Sequence, residues 1–121
     1  PFVETPMNPE ADLIISRRLA IQILHEAQIA QPESICGVVG ARNGEAVSFL
    51  RAGADALAAR GEALWARLWS NPSAPAVPHA EDLRAGGLHL VVSLDTKGVL
   101  EMRAWELRND LPCERVIKVR D

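Results

Sequence analysis

Three histidines (25, 79 and 89), two cysteines (36 and 113) and scattered carboxylates are the residues of this 121-residue chain that could hold a metal or move a proton. The tightest juxtaposition is His79-Ala-Glu-Asp82. An HxxD spacing puts an imidazole and a carboxylate on one face of a helical turn. A catalytic zinc needs a third protein ligand and leaves its fourth position to water. Here the third would have to be His25, Cys36 or His89. Each candidate also has a structural reading. Asp82 falls in the first turn of HAEDLRAGG, where negative charge meets the positive end of the helix dipole. His89 lies inside the apolar run LHLVVSL, the place of a hydrogen-bonded core imidazole. His25 falls on the solvent side of its helix. Cys36 reads as a small buried hydrophobe, because no His–Asp or His–Asn pairing serves it as a nucleophile.

A second concentration of chemistry is aromatic. LWARLWSN alternates, with Trp65, Arg67, Trp69 and Asn71 on one face of a strand and Leu64, Ala66 and Leu68 on the other. Two indoles on one face either complete a core or form a half-exposed pair that grips a peptide or a partner domain. A third option is that they line a small-molecule pocket. Trp105, on a later strand, reads as core or edge packing.

These residues must be positioned by a short series of elements. Leu13–Ile15 is a brief apolar strand, and Ser16 is placed to cap the helix that follows. In SRRLAIQILHEAQIAQ, Leu19, Ile23, Ala27 and Ala30, widened by Ala20 and Leu24, form one apolar stripe at helical period. Pro32 ends that helix. Residues 35–39 make a buried strand, and Asn43-Gly44 turns the chain into its hairpin partner, 45–50. Residues 53–60 suit a short helix, and 64–70 form the alternating strand. The three prolines of NPSAPAVP bar both helix and ladder. HAEDLRAGG is a short helix stopped by glycines, and 88–94 a central strand buried on both faces. A turn at Asp95–Gly98 leads to a return strand, 99–107, and 115–119 forms a last edge strand. The order is that of an α+β fold, a mixed α/β sandwich with a curved, mostly antiparallel sheet flanked by helices.

Composition narrows the classes. The chain is 48% hydrophobic and 24% charged, ordinary for one globular domain. With a net charge of −3 and 13 scattered basic residues, it lacks a nucleic-acid or anionic-membrane footprint. No apolar run approaches the roughly 20 residues that span a bilayer. Residues 1–11, polar and Pro-rich, read as a flexible arm rather than a signal peptide, ahead of a single domain over 12–121. Two cysteines do not make a disulfide framework; a reduced, cytoplasmic protein is the expectation, with a Cys36–Cys113 bridge as the alternative.

Three stretches in this order resemble the JAMM (JAB/MPN) metalloproteases, whose members include zinc deubiquitinases and bacterial isopeptidases acting on ubiquitin-like carriers. PESICGVVG, after the first helix, is similar to the strand that carries the family's glutamate three residues before a glycine. WSNPSAPAVPHAED resembles its His-x-His-Pro loop followed by Ser-x-x-Asp. LHLVVSL with LEMRAWEL resembles its closing hairpin. The resemblance covers roughly residues 12–107 and implies a JAMM/MPN domain with a cytidine-deaminase-like layout.

Carried over residue by residue, it implies a degenerate site. The two histidine ligands stand at Trp69 and Asn71, and only the aspartate, Asp82, is kept. An indole offers a metal no lone pair, and a carboxamide is a poor zinc ligand. The serine position is His79. The glutamate position is Ser34, with Glu33 one residue upstream and, on a strand, facing the other way. The expected function is therefore a catalytically inactive binding or assembly module without cofactor. Its partner would be a ubiquitin-like carrier tail or a JAMM-type subunit, with self-association a further expectation. Trp65, Trp69, Asn71 and His79 would line the binding cleft. The competing expectation is a zinc isopeptidase whose site is rebuilt around His79 and Asp82.

Overall fold

The computed structural model describes residues 13–94 and 100–121. The arm read over 1–11 and the turn read at 95–98 lie outside the described residues. Strand β1 (Leu13–Ser16) runs directly into helix α1 (Arg17–Ile29). Ser16 caps it, its hydroxyl accepting from the Leu19 amide at 3.1 Å. Leu19, Ala20, Ile23 and Ala27 are the buried residues of α1, as the apolar stripe requires. His25 is exposed.

The main sheet has six strands in the order β3-β2-β4-β5-β6-β7. They are β2 (Cys36–Arg42), β3 (Glu45–Leu50), β4 (Ala63–Asn71), β5 (His89–Ser93), β6 (Glu101–Arg108) and β7 (Leu111–Arg115). All neighbours are antiparallel except β4 and β5. A four-residue helix, α2 (Asp55–Ala58), links β3 to β4. Strand β8 (Ile117–Arg120) leaves this sheet and pairs in parallel with β1. The architecture is thus mixed α+β. Two expectations change. The last strand is not an edge of the main sheet, and an additional strand, β7, takes that edge. Its Pro112 sits where an edge tolerates a missing N–H.

The sheet has two covered faces. Leu68, Leu90, Val92, Val39 and Ala104 join Ile15 and α1 in the larger core. Val91, Leu83, Ala76 and Trp105 form a smaller one, on which the chain between β4 and β5 packs. That connection holds a single 3-10 turn at Ala80–Leu83 in place of the helix read over 79–87. Gly86 and Gly87 stop it, with φ of +82° and +76°, a conformation open mainly to glycine.

Strand β2, second from one edge, meets a bulge in each of its neighbours. Val39 lies opposite Ala66 but Gly40 opposite Leu64, so Trp65 is an extra residue on β4. On the other side Gly40 pairs with Ser48 and Ala41 with Ala46, so Val47 is extra on β3. A bulge breaks the strict alternation of faces. Trp65 accordingly packs on the α1-side core, whereas Trp69 packs on the opposite one. The two indoles expected to share a face are separated.

Candidate functional site

The chain between β4 and β5 is fastened by its carbonyls. Prolines 72, 75 and 78 deprive it of amide donors, and side chains from three strands supply hydrogen bonds instead. Ser93 Oγ donates to the Ala74 carbonyl at 2.7 Å. Asn71 Nδ2 donates to that of Pro75 at 3.3 Å. Trp105 Nε1, on β6, donates to that of Ala76 at 2.9 Å. The base of the loop is tied in the same way: Ser70 Oγ accepts from the Ile35 amide at 2.8 Å, and the Ser70 amide donates to the Ile35 carbonyl at 2.9 Å.

Beside this loop, on the face opposite α1, lies a groove of about 290 Å³. Its floor is the parallel junction of β4 and β5, where Arg67 is the register partner of His89 and Trp69 that of Val91. The start of β2 contributes Cys36, and Asp82 and Ala85 form the opposite wall. The Trp69 ring meets the His89 ring edge-on, with centroids 5.5 Å apart.

His89 is 1% exposed, and its Nδ1 lies 3.2 Å from the Gly87 carbonyl oxygen. A carbonyl can only accept, so Nδ1 carries the proton and Nε2 is left as the acceptor of the neutral ring. Burial pushes the imidazole pKa down, and the nearby Arg67 charge pushes the same way. The ring is therefore neutral at pH 7. This is the satisfied core histidine that the apolar run implies.

Asp82 is spent on local structure. Its Oδ2 accepts from the His79 amide at 2.9 Å, while the Asp82 amide donates to the His79 carbonyl at 3.0 Å. This reciprocal pair starts the 3-10 turn in the manner of a capping box. His79 is exposed and does not line the groove. No three His, Cys, Asp or Glu side chains converge among the described residues as a metal would need. The donor set expected of a rebuilt zinc site, His79 and Asp82 with His25, Cys36 or His89, is not brought together.

The remaining site residues also differ from the sequence reading. Strand β2 begins at Cys36, so Glu33 and Ser34 precede it, exposed, in the turn after α1. Strand alternation does not govern them, and neither lines the groove. Cys36 is exposed rather than buried, and both cysteines are free. Asn71 is a loop anchor outside the groove, and Trp65 lines a different cavity, between β1 and β3. Of the residues singled out for binding, only Trp69 lines the groove. Trp105, 8% exposed, is core as expected, with the Arg103 guanidinium 5.1 Å from its ring centroid.

Sequence reasoning passed over Arg67. Its Nε is a buried side-chain nitrogen without a hydrogen-bond partner. The available signal was a lone charge between two tryptophans on an alternating strand.

No family model and no curated protein matches the chain in sequence. Solved structures do match its fold. A JAB1/MPN domain protein from Archaeoglobus fulgidus superposes with a TM-score of 0.67 at 20% identity, over 92% of this chain and 98% of that one. A structure described as a JAMM metalloprotease-like zinc site in the proteasome and signalosome gives 0.64 at 19% identity, over 92% of this chain and 100% of the other. A protein from Desulfitobacterium hafniense gives 0.74 at 20% identity, over 90% and 93%. The chain has the JAB1/MPN fold.

Proposed function

We propose that this domain of JAB1/MPN fold is a binding or assembly module rather than a zinc hydrolase. Its partners would be the tail of a ubiquitin-like carrier or a JAMM-type subunit. The observation that carries the reading is the use made of the two positions where the resemblance puts histidine ligands. Asn71 is committed to the Pro75 carbonyl, and Trp69 is stacked edge-on against His89. An indole has no lone pair to offer a metal, and a carboxamide is a poor zinc ligand. Asp82, the one ligand type retained, already serves the His79 amide.

Two features favour capture of an extended segment. Strand β3 is an edge of the six-stranded sheet, and edges accept an added strand. Its last residue, Leu50, pairs with Val38, and Val38, Ala52 and Gly53 line the groove. A segment added along β3 would thus be led to the groove.

Metal analysis of protein prepared without chelator, together with incubation against a ubiquitin-like fusion, tests the proposal. We expect no stoichiometric zinc and no cleavage. Stoichiometric zinc, with hydrolysis lost in Asp82→Ala, rejects it in favour of the isopeptidase. A ligand at a hundred times its dissociation constant stabilises the native state by about 2.7 kcal/mol, so a real zinc site would also show as a raised melting temperature.

A further inference from the structure

Among the described residues, Arg67 Nε is the one buried side-chain nitrogen or oxygen that finds no hydrogen-bond partner. Its sheet neighbours do not supply one. Val38, opposite it on β2, is apolar. His89, opposite it on β5, has turned Nδ1 to the Gly87 carbonyl. Asp82 lines the same groove, yet its Oδ2 is held by the His79 amide, and it makes no ion pair with Arg67. A buried donor left unmade is unfavourable enough that native folds rarely keep one without a use.

The position of the orphan suggests that use. Arg67 lies on the floor of the groove, beside Trp69 and His89. Along one edge a guanidinium presents two parallel N–H donors, a fork that matches the two oxygens of a carboxylate. The groove, about 290 Å³, falls just below the range for small-ligand sites, roughly 300–1,000 Å³. Ala52 and Gly53 line it with almost no side-chain bulk, and a Cβ on Gly53 would meet nothing within 4 Å, so the main chain of a short ligand can approach closely while the small volume excludes a bulky one. Asp82 on the wall is a negative charge that disfavours a dianion relative to a monoanion.

We propose that this groove is a carboxylate-binding site in which Arg67 clamps a monoanionic carboxylate, carried by a small organic acid or by the free C-terminus of a chain ending in small residues. The inference rests on the metal-free binding reading above and names the chemistry that its cleft selects. No bond is made or broken.

The test uses the full chain and three probes: acetate, the tripeptide Gly-Gly-Gly, and the C-terminal amide of that tripeptide. Binding is followed through the Arg67 Nε–H nitrogen resonance and, independently, by calorimetry. The free-acid tripeptide is expected to shift the resonance and to bind at least tenfold more tightly than its amide. Arg67→Lys, which keeps the charge but loses the fork, is expected to weaken it at least tenfold. Inorganic phosphate at equal concentration should compete poorly. Acetate saturating the site as well as the tripeptide identifies a small acid as the source; response to the tripeptide alone identifies a chain terminus. Equal binding of acid and amide, absence of binding at tens of millimolar, or undiminished binding by Arg67→Lys overturns the proposal. The acid–amide contrast is made on the unaltered protein, so it stands even where a variant fails to fold. A protein that binds zinc stoichiometrically sinks the metal-free reading. A zinc-free protein that ignores carboxylates sinks this inference alone.

Discussion

Two charges flank or occupy strand β4, one enclosed just before it and one half-buried at its middle, and the fold treats them in opposite ways. Glu62, just before the strand, has a side chain only 2% exposed. Its carboxylate accepts from Ser48 Oγ at 2.5 Å and sits 3.3 Å from Arg42 and 3.5 Å from Arg60. Gly40 clears the space: a Cβ there would lie 2.5 Å from Glu62 Oε1 and 2.8 Å from Ser48 Oγ. Arg67, five residues on, has none of this. A charge that the chain itself surrounds with partners is part of the frame. One left without them faces a partner that arrives from outside. Each end of that contrast can be broken separately.

The frame's largest single contribution on this face is Trp105. Trp105→Ala should destabilise the domain by about 3–5 kcal/mol. It removes a buried indole and frees the Ala76 carbonyl. Urea denaturation measures the loss, and limited proteolysis between residues 72 and 79 should accelerate with it. Trp105→Phe keeps most of the apolar area but not the hydrogen bond, so it should fall well short of that value. If the loop is cut no faster in either variant, its anchoring lies elsewhere.

Next in size is the Glu62 cluster. Gly40→Ala should cost about 1–3 kcal/mol by overpacking, because Leu57, Ser48 and Glu62 all stand within 2.8 Å of the new methyl. The same cluster sets part of the acid limb. The Ser48 hydrogen bond, then the Arg60 and Arg42 charges, hold the Glu62 carboxyl below its ordinary value of 4.5, against the opposing effect of burial. A depressed folded-state pKa stabilises above the unfolded value and is lost as pH falls through the folded one. The stability of the native protein should therefore decline from about pH 4.5 downward, and Glu62→Gln should flatten that decline. The half-exposed Glu114, lowered by its hydrogen bond to Arg103, adds a weaker component that Glu62→Gln leaves in place. An unchanged acid limb in the Gln variant would mean that the cluster holds no charge worth its partners.

How much of this was readable in sequence follows from how local each cause is. Helix α1, with Ser16 as cap, and the Asn43-Gly44 hairpin depend on residues a few positions apart, and both are where the pattern puts them. The bulge at Trp65 falls opposite the Val39–Gly40 step of a different strand, so the alternation of LWARLWSN gave the wrong partner for Trp69. HAEDLRAGG has the composition of a helix start. Two glycines at positive φ left it room for one 3-10 turn only. The pairing of β1 with β8 joins the two ends of the described chain, beyond the reach of any local periodicity. In the site, the unsuitability of Trp69 and Asn71 for zinc is a property of the side chains themselves and was legible at once. The use of Asn71 as a loop anchor and the isolation of Arg67 are tertiary facts, visible only once the carbonyls and neighbours are in place.

Arg67→Leu tests the other end of the contrast. Replacing an unpartnered buried donor by a shorter, apolar side chain should leave the domain as stable or raise its stability by about 1 kcal/mol, while abolishing the carboxylate response. A gain in stability coupled to a loss of binding is what a functional charge predicts. Should Arg67→Leu instead destabilise as Gly40→Ala does, Arg67 belongs to the frame and the contrast along β4 dissolves.

The smallest effect is the one that separates a relic from a working ligand. Asp82 is exposed and holds one backbone amide, so Asp82→Ala should cost about 0.5–1 kcal/mol, the ordinary value of a lost cap. On the metal-free proposal, chemical denaturation in the presence of chelator and again in the presence of zinc should give the same small difference, because the role of the Asp82 carboxylate is then to accept from the His79 amide. Asp82→Asn, which keeps an oxygen for that amide, should recover most of it. A difference that grows by a kilocalorie or more only when zinc is present would show the carboxylate coordinating after all, and Trp69 would then have to move aside to make room.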